Sequence, residues 1–203
     1  ADIKYAEQLG YRIKLLGITK RTPEGVELRV HPTLIPTKRL IANVEGAMNA
    51  VLVKADAVGA TMYYGKGAGA EPTASAVIAD LVDVTRMHTA DPEHRVPHLA
   101  FQPEAMVDLP ILPLAEVVSS YYLRLRVEDK PGVLADITRI LADQQISIDA
   151  MIQREPEEGE EQADIIFLTH ETRERNVAAA IEKIESHPAV KGKLTRLRLE
   201  GLL

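Results

Sequence analysis

This sequence encodes an α+β fold in two unlike parts, and three observations carry that reading. Residues 121–199 show strand, helix, strand, strand, helix and strand patterns in that order, the split βαβ of ferredoxin-like folds. Residues 11–65 hold two further strand pairs with a helix after them, which reads as one incomplete mixed α/β sheet. Between the parts, residues 90–118 carry Pro92, Pro97, Pro103, Pro110 and Pro113. Proline removes backbone donors and restricts the residue before it, so no regular element crosses such a stretch easily. The expected organisation is therefore a domain over 1–90, a proline-rich linker over 91–118 and a second domain over 119–203.

The N-terminal part opens with a short helix over 2–9. The strand "YRIKLLGITKR" (11–21) follows, turns at Pro23-Glu24-Gly25 and returns through "VELRVHPTLI" (26–35) as a hairpin. "NAVLVKADAVG" (49–59) and "ATMYYG" (60–65) form a second strand pair, and a helix runs from about Pro72 to Met87. In the C-terminal part, "YYLRLRV" (121–127) sets Leu123, Leu125 and Val127 against Tyr122, Arg124 and Arg126, a strand with two unlike faces. Pro131 sits where a helix begins, where its missing N–H costs nothing, and Val133, Leu134, Ile137, Ile140 and Leu141 follow at helical spacing. Strands "ISIDAMI" (146–152) and "DIIFLTH" (164–170) come next. A helix marked by Val177, Ala180, Ile181 and Ile184 leads to the last strand, "LTRLRL" (194–199). The sheet of this part should be antiparallel with both helices on one face.

Composition narrows the function classes. The chain of 203 residues is long enough to bury a core without staples. It has no cysteine, so disulfides and thiolate metal sites are out of reach. A net charge of −6 argues against a nucleic-acid surface. No apolar run approaches the roughly 18 residues of a membrane span, and no secretory leader pattern opens the chain. A cytoplasmic protein without membrane or nucleic-acid partners is the expectation. The chain begins at Ala1 and enters "DIKYAEQLGYRIKLLGI" at once, so it reads as a piece of a longer protein.

Two loops could hold a ligand. "YYGKGAGAEPTASAVIAD" (63–80) places Gly65, Gly67 and Gly69 before a helix start at Pro72-Thr73. It fails the P-loop pattern, because Lys66 precedes Gly67 and not a hydroxyl residue. It fails the dinucleotide fingerprint too, because the glycine spacing is wrong and prolines surround Asp91. A helix N-terminus still attracts anions, but Glu71 opposes a phosphate there, and on spacing alone a close-packed strand-to-helix turn leads. "EDKPGVLADI" (128–137) is a second strand-to-helix turn. The amides of Gly132, Val133 and Leu134 could receive a carboxylate there, and an ordinary βα turn is the competing reading.

The remaining candidates read as structural. His94 and His98 are close in sequence, but Pro97 disfavours the helix that would align them on a metal, so solvated loop histidines are expected. The acidic stretch 155–161 lacks the ligand order of a calcium loop. Tyr63 and Tyr64 end a strand, where packing is the default. Lys54 and Asp56 could pair on a strand surface with little energetic weight.

The residues also carry a resemblance. "NAVLVKADAVGATMYYGKGAGAEPTASAVIADL" (49–81), "GYRIKLLGI" (10–18) and "VHPTLIP" (30–36) resemble, in order, the end of the catalytic region of homoserine dehydrogenases. Residues 121–203 resemble an ACT domain, a small amino-acid-sensing module that many bacterial members carry at the C-terminus. The resemblance implies an oxidoreductase that interconverts L-aspartate 4-semialdehyde and L-homoserine with NADP or NAD, on the route to threonine, methionine and isoleucine. It also implies a Rossmann domain, a catalytic lysine and substrate-holding carboxylates that all precede this segment, so the chain alone should be inactive.

Carried over by position, Gly69 matches a cofactor-contacting glycine, with Gly67 and Gly65 as shapers of the loop. Ala74, Ala76, Val77 and Leu81 of the following helix would face the Rossmann domain, or a second chain in its absence. In the ACT half, Asp129, Gly132, Val133 and Leu134 match the effector loop. Ser147, Ile148 and Asp149 would face it across a homodimer. ACT domains often carry an asparagine near the start of this strand, where this chain reads "QQISID". Threonine, the pathway end product, is the first choice of allosteric effector. The rival is a non-catalytic amino-acid-binding regulator in which residues 1–115 serve only dimerisation.

Overall fold

The computed structural model describes residues 1–90, 101–153 and 162–202. His94, His98 and the acidic stretch 155–161 lie outside them. By packing, the chain forms two compact units, Ala1–Lys38 with Leu109–Leu203, and Arg39–Asp108.

The larger unit contains the expected ferredoxin-like order. Strand β5 (Val118–Glu128), helix α3 (Val133–Asp143), strands β6 (Ile148–Gln153) and β7 (Gln162–Thr169), helix α4 (Glu174–Glu185) and strand β9 (Val190–Leu199) succeed one another. A two-residue strand, β8 (Thr172–Arg173), pairs with the start of β5. β5 pairs antiparallel with β7 and with β9, and β7 antiparallel with β6. Alternation along β5 does what a pleated strand requires. Tyr121, Leu123, Leu125 and Val127 point to one face, where Ile137 and Leu141 of α3 and Val177, Ala180 and Ile184 of α4 close the core.

The other face is where the structure departs from expectation. Helix α1 (Asp2–Gln8), strand β1 (Tyr11–Thr22) and strand β2 (Gly25–Pro36) do not belong to a separate N-terminal sheet. β2 runs parallel to β9 through Thr33↔Arg198 and Leu34↔Leu199, giving the order β1-β2-β9-β5-β7-β6. Ala6 and Leu34 then cover Tyr122, Ile166 and Leu168, so the Tyr122 ring on the supposedly polar face is fully buried. The physical reason is edge protection: β9 would otherwise present unpaired backbone groups.

Polar bonds fix this second layer. Asp2 accepts from Arg124 Nε at 2.6 Å, from Arg124 Nη2 at 3.0 Å and from the Tyr122 hydroxyl at 2.9 Å. The Tyr5 hydroxyl donates to Asp164 at 3.0 Å. At the tip of the β1–β2 hairpin, the Val26 amide donates to Pro110 O at 2.9 Å and the Leu112 amide to Val26 O at 2.9 Å. Gly25 has φ +149°, and a Cβ there would lie 2.3 Å from Pro110 O. Only glycine lets the two backbones pass so closely.

The smaller unit holds strands β3 (Met48–Lys54) and β4 (Ala60–Lys66), paired antiparallel, and helix α2 (Ala70–Thr89). Asp56 falls in the turn between the strands, where it accepts from the Ala57 amide at 2.7 Å, and not on the strand beside Lys54. No residue of α2 is buried. Tyr63 and Tyr64, expected to pack, are 68% and 57% exposed, because among the described residues no further layer covers this hairpin.

Candidate functional site

The glycine loop of the smaller unit is shaped by backbone conformation. β4 ends at Lys66, and Gly69 caps α2 at φ 123°, ψ 155°, with no side chain capping the helix. That φ is one that side-chain-bearing residues rarely adopt, and a Cβ at Gly69 would come within 3.3 Å of Pro72 Cδ. Gly67 answers to a different neighbour: a Cβ there would meet Asn49 Nδ2 at 2.5 Å. Gly65 stands opposite Asn49 in the β3–β4 register, in open space. The loop offers an uncapped helix N-terminus and its partial positive charge, with Glu71 in the first turn opposing an anion. Among the described residues the loop shows neither a phosphate cradle nor a ribose acceptor, and no hydride-transfer step follows from these residues.

In the larger unit, β5 leads into α3 through Gly132, which adopts the left-handed region at φ 94°. Val133 turns into the core and Leu134 packs partly against it. Of the two acidic residues before the turn, Glu128 accepts from Lys130 at 2.7 Å and pairs with Lys191 at 2.6 Å. Those ammonium groups draw the Glu128 carboxyl down to about 2. Asp129 accepts from Gln153 Nε2 at 3.4 Å.

Ser147, Ile148 and Asp149 sit elsewhere. Ser147 O accepts from the His170 amide at 2.9 Å, Ile148 packs against the core, and Asp149 stands 3.9 Å from His170 Nε2. Ile148 pairs with Thr169 at one end of β6 and Gln153 with Ile165 at the other. At strand rise, these ends are separated by roughly 17 Å. Within one chain the structure thus divides the expected effector residues between opposite ends of the sheet.

Asp149 does line a cleft of about 260 Å³ at its own end. The walls come from both layers: Tyr11 and Lys20 from β1, Ser119 and Ser120 from β5, and the segments around His170-Glu171 and Glu200-Gly201. Burial and the Asp149 charge raise the Tyr11 hydroxyl above its usual value.

Beside the cleft lies a charge network that local sequence pattern does not reveal. Glu174, at the first position of α4, is 5% exposed. It accepts from the Tyr121 hydroxyl at 2.8 Å, from Arg198 Nε at 2.9 Å and Nη2 at 2.5 Å, and from Arg196 Nη1. Burial, then the Glu174 carboxylate, push the Tyr121 hydroxyl well above its usual range. Across the parallel seam, the buried Arg29 donates to Glu200 at 2.6 Å and lies 3.2 Å from Glu27. The signal in sequence is weak: Arg196 and Arg198 alternate with Leu197 and Leu199 and read as a solvent face.

Among the described residues, no group of three or more His, Cys, Asp or Glu could hold a metal ion. No described helix is long and apolar enough to cross a membrane.

Comparison with known proteins places these features in context. The family model for homoserine dehydrogenase matches residues 1–82, and that for the ACT domain matches residues 121–189. The homoserine dehydrogenase of Pseudomonas aeruginosa is 55% identical over 202 residues, covering 100% of this chain and 46% of the relative. That of Methylobacillus glycogenes is 62% identical over 191 residues, covering 94% and 45%. The crystal structure of a homoserine dehydrogenase from Thiobacillus denitrificans superposes with a TM-score of 0.90 at 70% identity, over 99% of this chain and 45% of that one. The chain thus spans about half the length of the relatives it matches.

Proposed function

On the premise that this chain belongs to the homoserine dehydrogenase family and carries an ACT domain, we propose that it is the C-terminal part of an enzyme interconverting L-aspartate 4-semialdehyde and L-homoserine, under amino-acid control. The observation that carries this reading is the succession of the two family matches along a chain that is 55% identical throughout to a homoserine dehydrogenase. In this proposal, residues 1–90 derive from the catalytic and dimerising region and residues 119–203 from the regulatory one.

Gly69, with Gly67 and Gly65 shaping its loop, forms the far wall of a nicotinamide site for NADP or NAD, the cofactor that supplies hydride in the whole enzyme. The exposed Val77 and Leu81 of α2, with Ala74 and Ala76, meet a Rossmann domain or a second chain there. This chain by itself does not turn over, because a hydride-transfer enzyme must hold and orient its cofactor and these residues furnish only one wall.

The regulatory half takes threonine. The turn holding Asp129, Gly132, Val133 and Leu134 receives the amino acid, and Ser147, Ile148 and Asp149 of a second copy complete the site. The sheet geometry supports this assembly. β6 is the last strand of the sheet, and two copies related by a two-fold axis can pair such edges antiparallel. That pairing lays the Ile148 end of one β6 beside the Gln153 and Asp129 end of the other, reuniting residues that one chain keeps apart.

A thermal-shift titration tests the reading. L-threonine at a hundredfold excess over its Kd should stabilise the chain by about 2.7 kcal/mol, and Gly132→Val should abolish the shift, since the left-handed turn excludes a β-branched residue. A shift with an unrelated amino acid and none with threonine would support a free-standing sensor. Reduction of aspartate semialdehyde by the chain alone with NADPH would overturn the half-site reading.

A further inference from the structure

One imidazole sits where the β1–β2 hairpin meets β9. The half-buried His31 lies on β2, on the face that also carries Glu27, Arg29 and Thr33, beside Arg198 and Glu200 of the β9 side. Its neighbours fix its protonation state. Nδ1 lies 3.2 Å from Pro32 O, which can only accept, and 3.0 Å from Thr33 Oγ1, whose hydrogen is already given to His31 O at 3.1 Å. Nε2 lies 3.3 Å from Arg29 Nη1, which can only donate. The ring is therefore neutral with its hydrogen on Nδ1, and its Nε2 lone pair accepts from a guanidinium.

The charges around it disfavour a further cation. Arg29 donates to Glu200 at 2.6 Å and lies 3.2 Å from Glu27, while Arg198 is engaged with Glu174 at the start of α4. On β1, Leu16 stands opposite His31, with Lys14 opposite Thr33 and Lys20 opposite Glu27. Arg29 Nε and Glu27 Oε2 are buried and make no hydrogen bond with a described residue, so the cluster is already incompletely satisfied. Burial, chiefly, and then the Arg198 and Arg29 charges hold the ring below its usual value of 6.5, against the opposite pull of Pro32 O and Glu200.

We propose that His31 is a pH-sensitive latch on the β2–β9 seam, closed while its Nε2 accepts from Arg29 and released when Nε2 takes a proton. Protonation sets one N–H against another and removes the acceptor that Arg29 uses. It also adds a third cation beside Arg29 and Arg198, where Glu200 is already engaged. Arg29 then turns from the ring, and Glu200 loosens with it. Glu200 joins the two strands twice, through its carboxylate on Arg29 and through its amide on Leu34 O at 3.0 Å. The strand pairing it guards spans two positions, Thr33↔Arg198 and Leu34↔Leu199. Asp2 and Ala6 still hold the opposite face, so the opening is local to the seam. A histidine lowered in the folded state contributes fully above its unfolded value of about 6.5 and loses that contribution as pH falls below it. The latch needs no bound amino acid, so it stands apart from the threonine assignment.

Nitrogen-15 NMR of the 203-residue chain tests this. At about pH 7.5 the ring shifts of His31 should report the Nδ1–H tautomer, which a solvated histidine does not favour. Hydrogen-exchange protection of the Glu200 amide, relative to an unstructured peptide, should fall about tenfold between about pH 7.5 and about pH 5.5, as expected when one charge-assisted bond is lost. That loss should track the titration midpoint of the His31 ring itself, while the buried Phe167 amide keeps its protection. His31→Gln, whose Oε1 can accept from Arg29 and does not titrate, should hold the Glu200 amide equally at both pH values. An Nε2–H tautomer at neutral pH, Glu200 protection that ignores the His31 titration, or the same loss in His31→Gln would overturn the proposal.

Discussion

Asp2 and Glu174 show how single carboxylates hold layers together. Asp2 accepts three bonds from Arg124 and Tyr122, and the Arg124 guanidinium, above all, holds its carboxyl below the usual value of 3.8. A carboxylate lowered in the folded state stabilises it above the unfolded pKa and loses that contribution as pH falls through the folded value. Denaturant midpoints should therefore drop below about pH 4, and Asp2→Asn should flatten that acid limb while costing about 1–3 kcal/mol at neutral pH. Glu174 is the more severe case, because its removal strands Arg198 in the interior. Glu174→Gln should destabilise by about 3–5 kcal/mol, measured by chemical denaturation, and Glu174→Gln with Arg198→Met should recover part of it. Neither network was legible in sequence. Asp2 is 122 positions from Arg124, and the Leu-Arg alternation that hides Arg198 is the same pattern that marks a solvent face.

At the scale of elements, periodicity identified nearly every strand and helix, because each rests on local alternation or on a helical stripe that its own residues supply. What periodicity could not show was partnership. The β1–β2 hairpin was visible from its turn chemistry, but its strand pairing with the sheet involves two positions, Thr33↔Arg198 and Leu34↔Leu199, far apart in sequence and without local signature. The consequence is testable. Residues 119–203 alone should retain the helix-side core but expose Tyr122, Ile166 and Leu168, and should bind a hydrophobic dye on that face. Adding the 1–38 segment as a separate peptide should reverse that binding, and failure to do so would argue against a shared layer. Of the candidate sites, the two glycine turns were legible because left-handed backbone demands glycine. The cleft was not, since its walls come from segments that converge only in three dimensions.

For the whole molecule, the sheet has two ends of different character. The β9 side is extended by the hairpin, while β6 ends the sheet with Met151 43% exposed. An edge of this kind recruits partners unless it is blunted. Analytical ultracentrifugation should find a dimer, and Met151→Lys, which places a charge on this edge strand, should shift it toward monomer. A dimer unaffected by that change would place the contact elsewhere and remove the support for a shared effector site.

The bond from the Glu200 amide to Leu34 O, 3.0 Å long, has a further consequence for how the chain is made. On the ribosome, the hairpin Tyr11–Pro36 emerges long before its docking edge, β9, exists. At about 5–20 residues per second, the hairpin waits on the order of ten seconds with its apolar side unshielded. The molecule's second layer therefore forms only once β9 has emerged, so nascent chains stalled before residue 190 should be the species most dependent on chaperones.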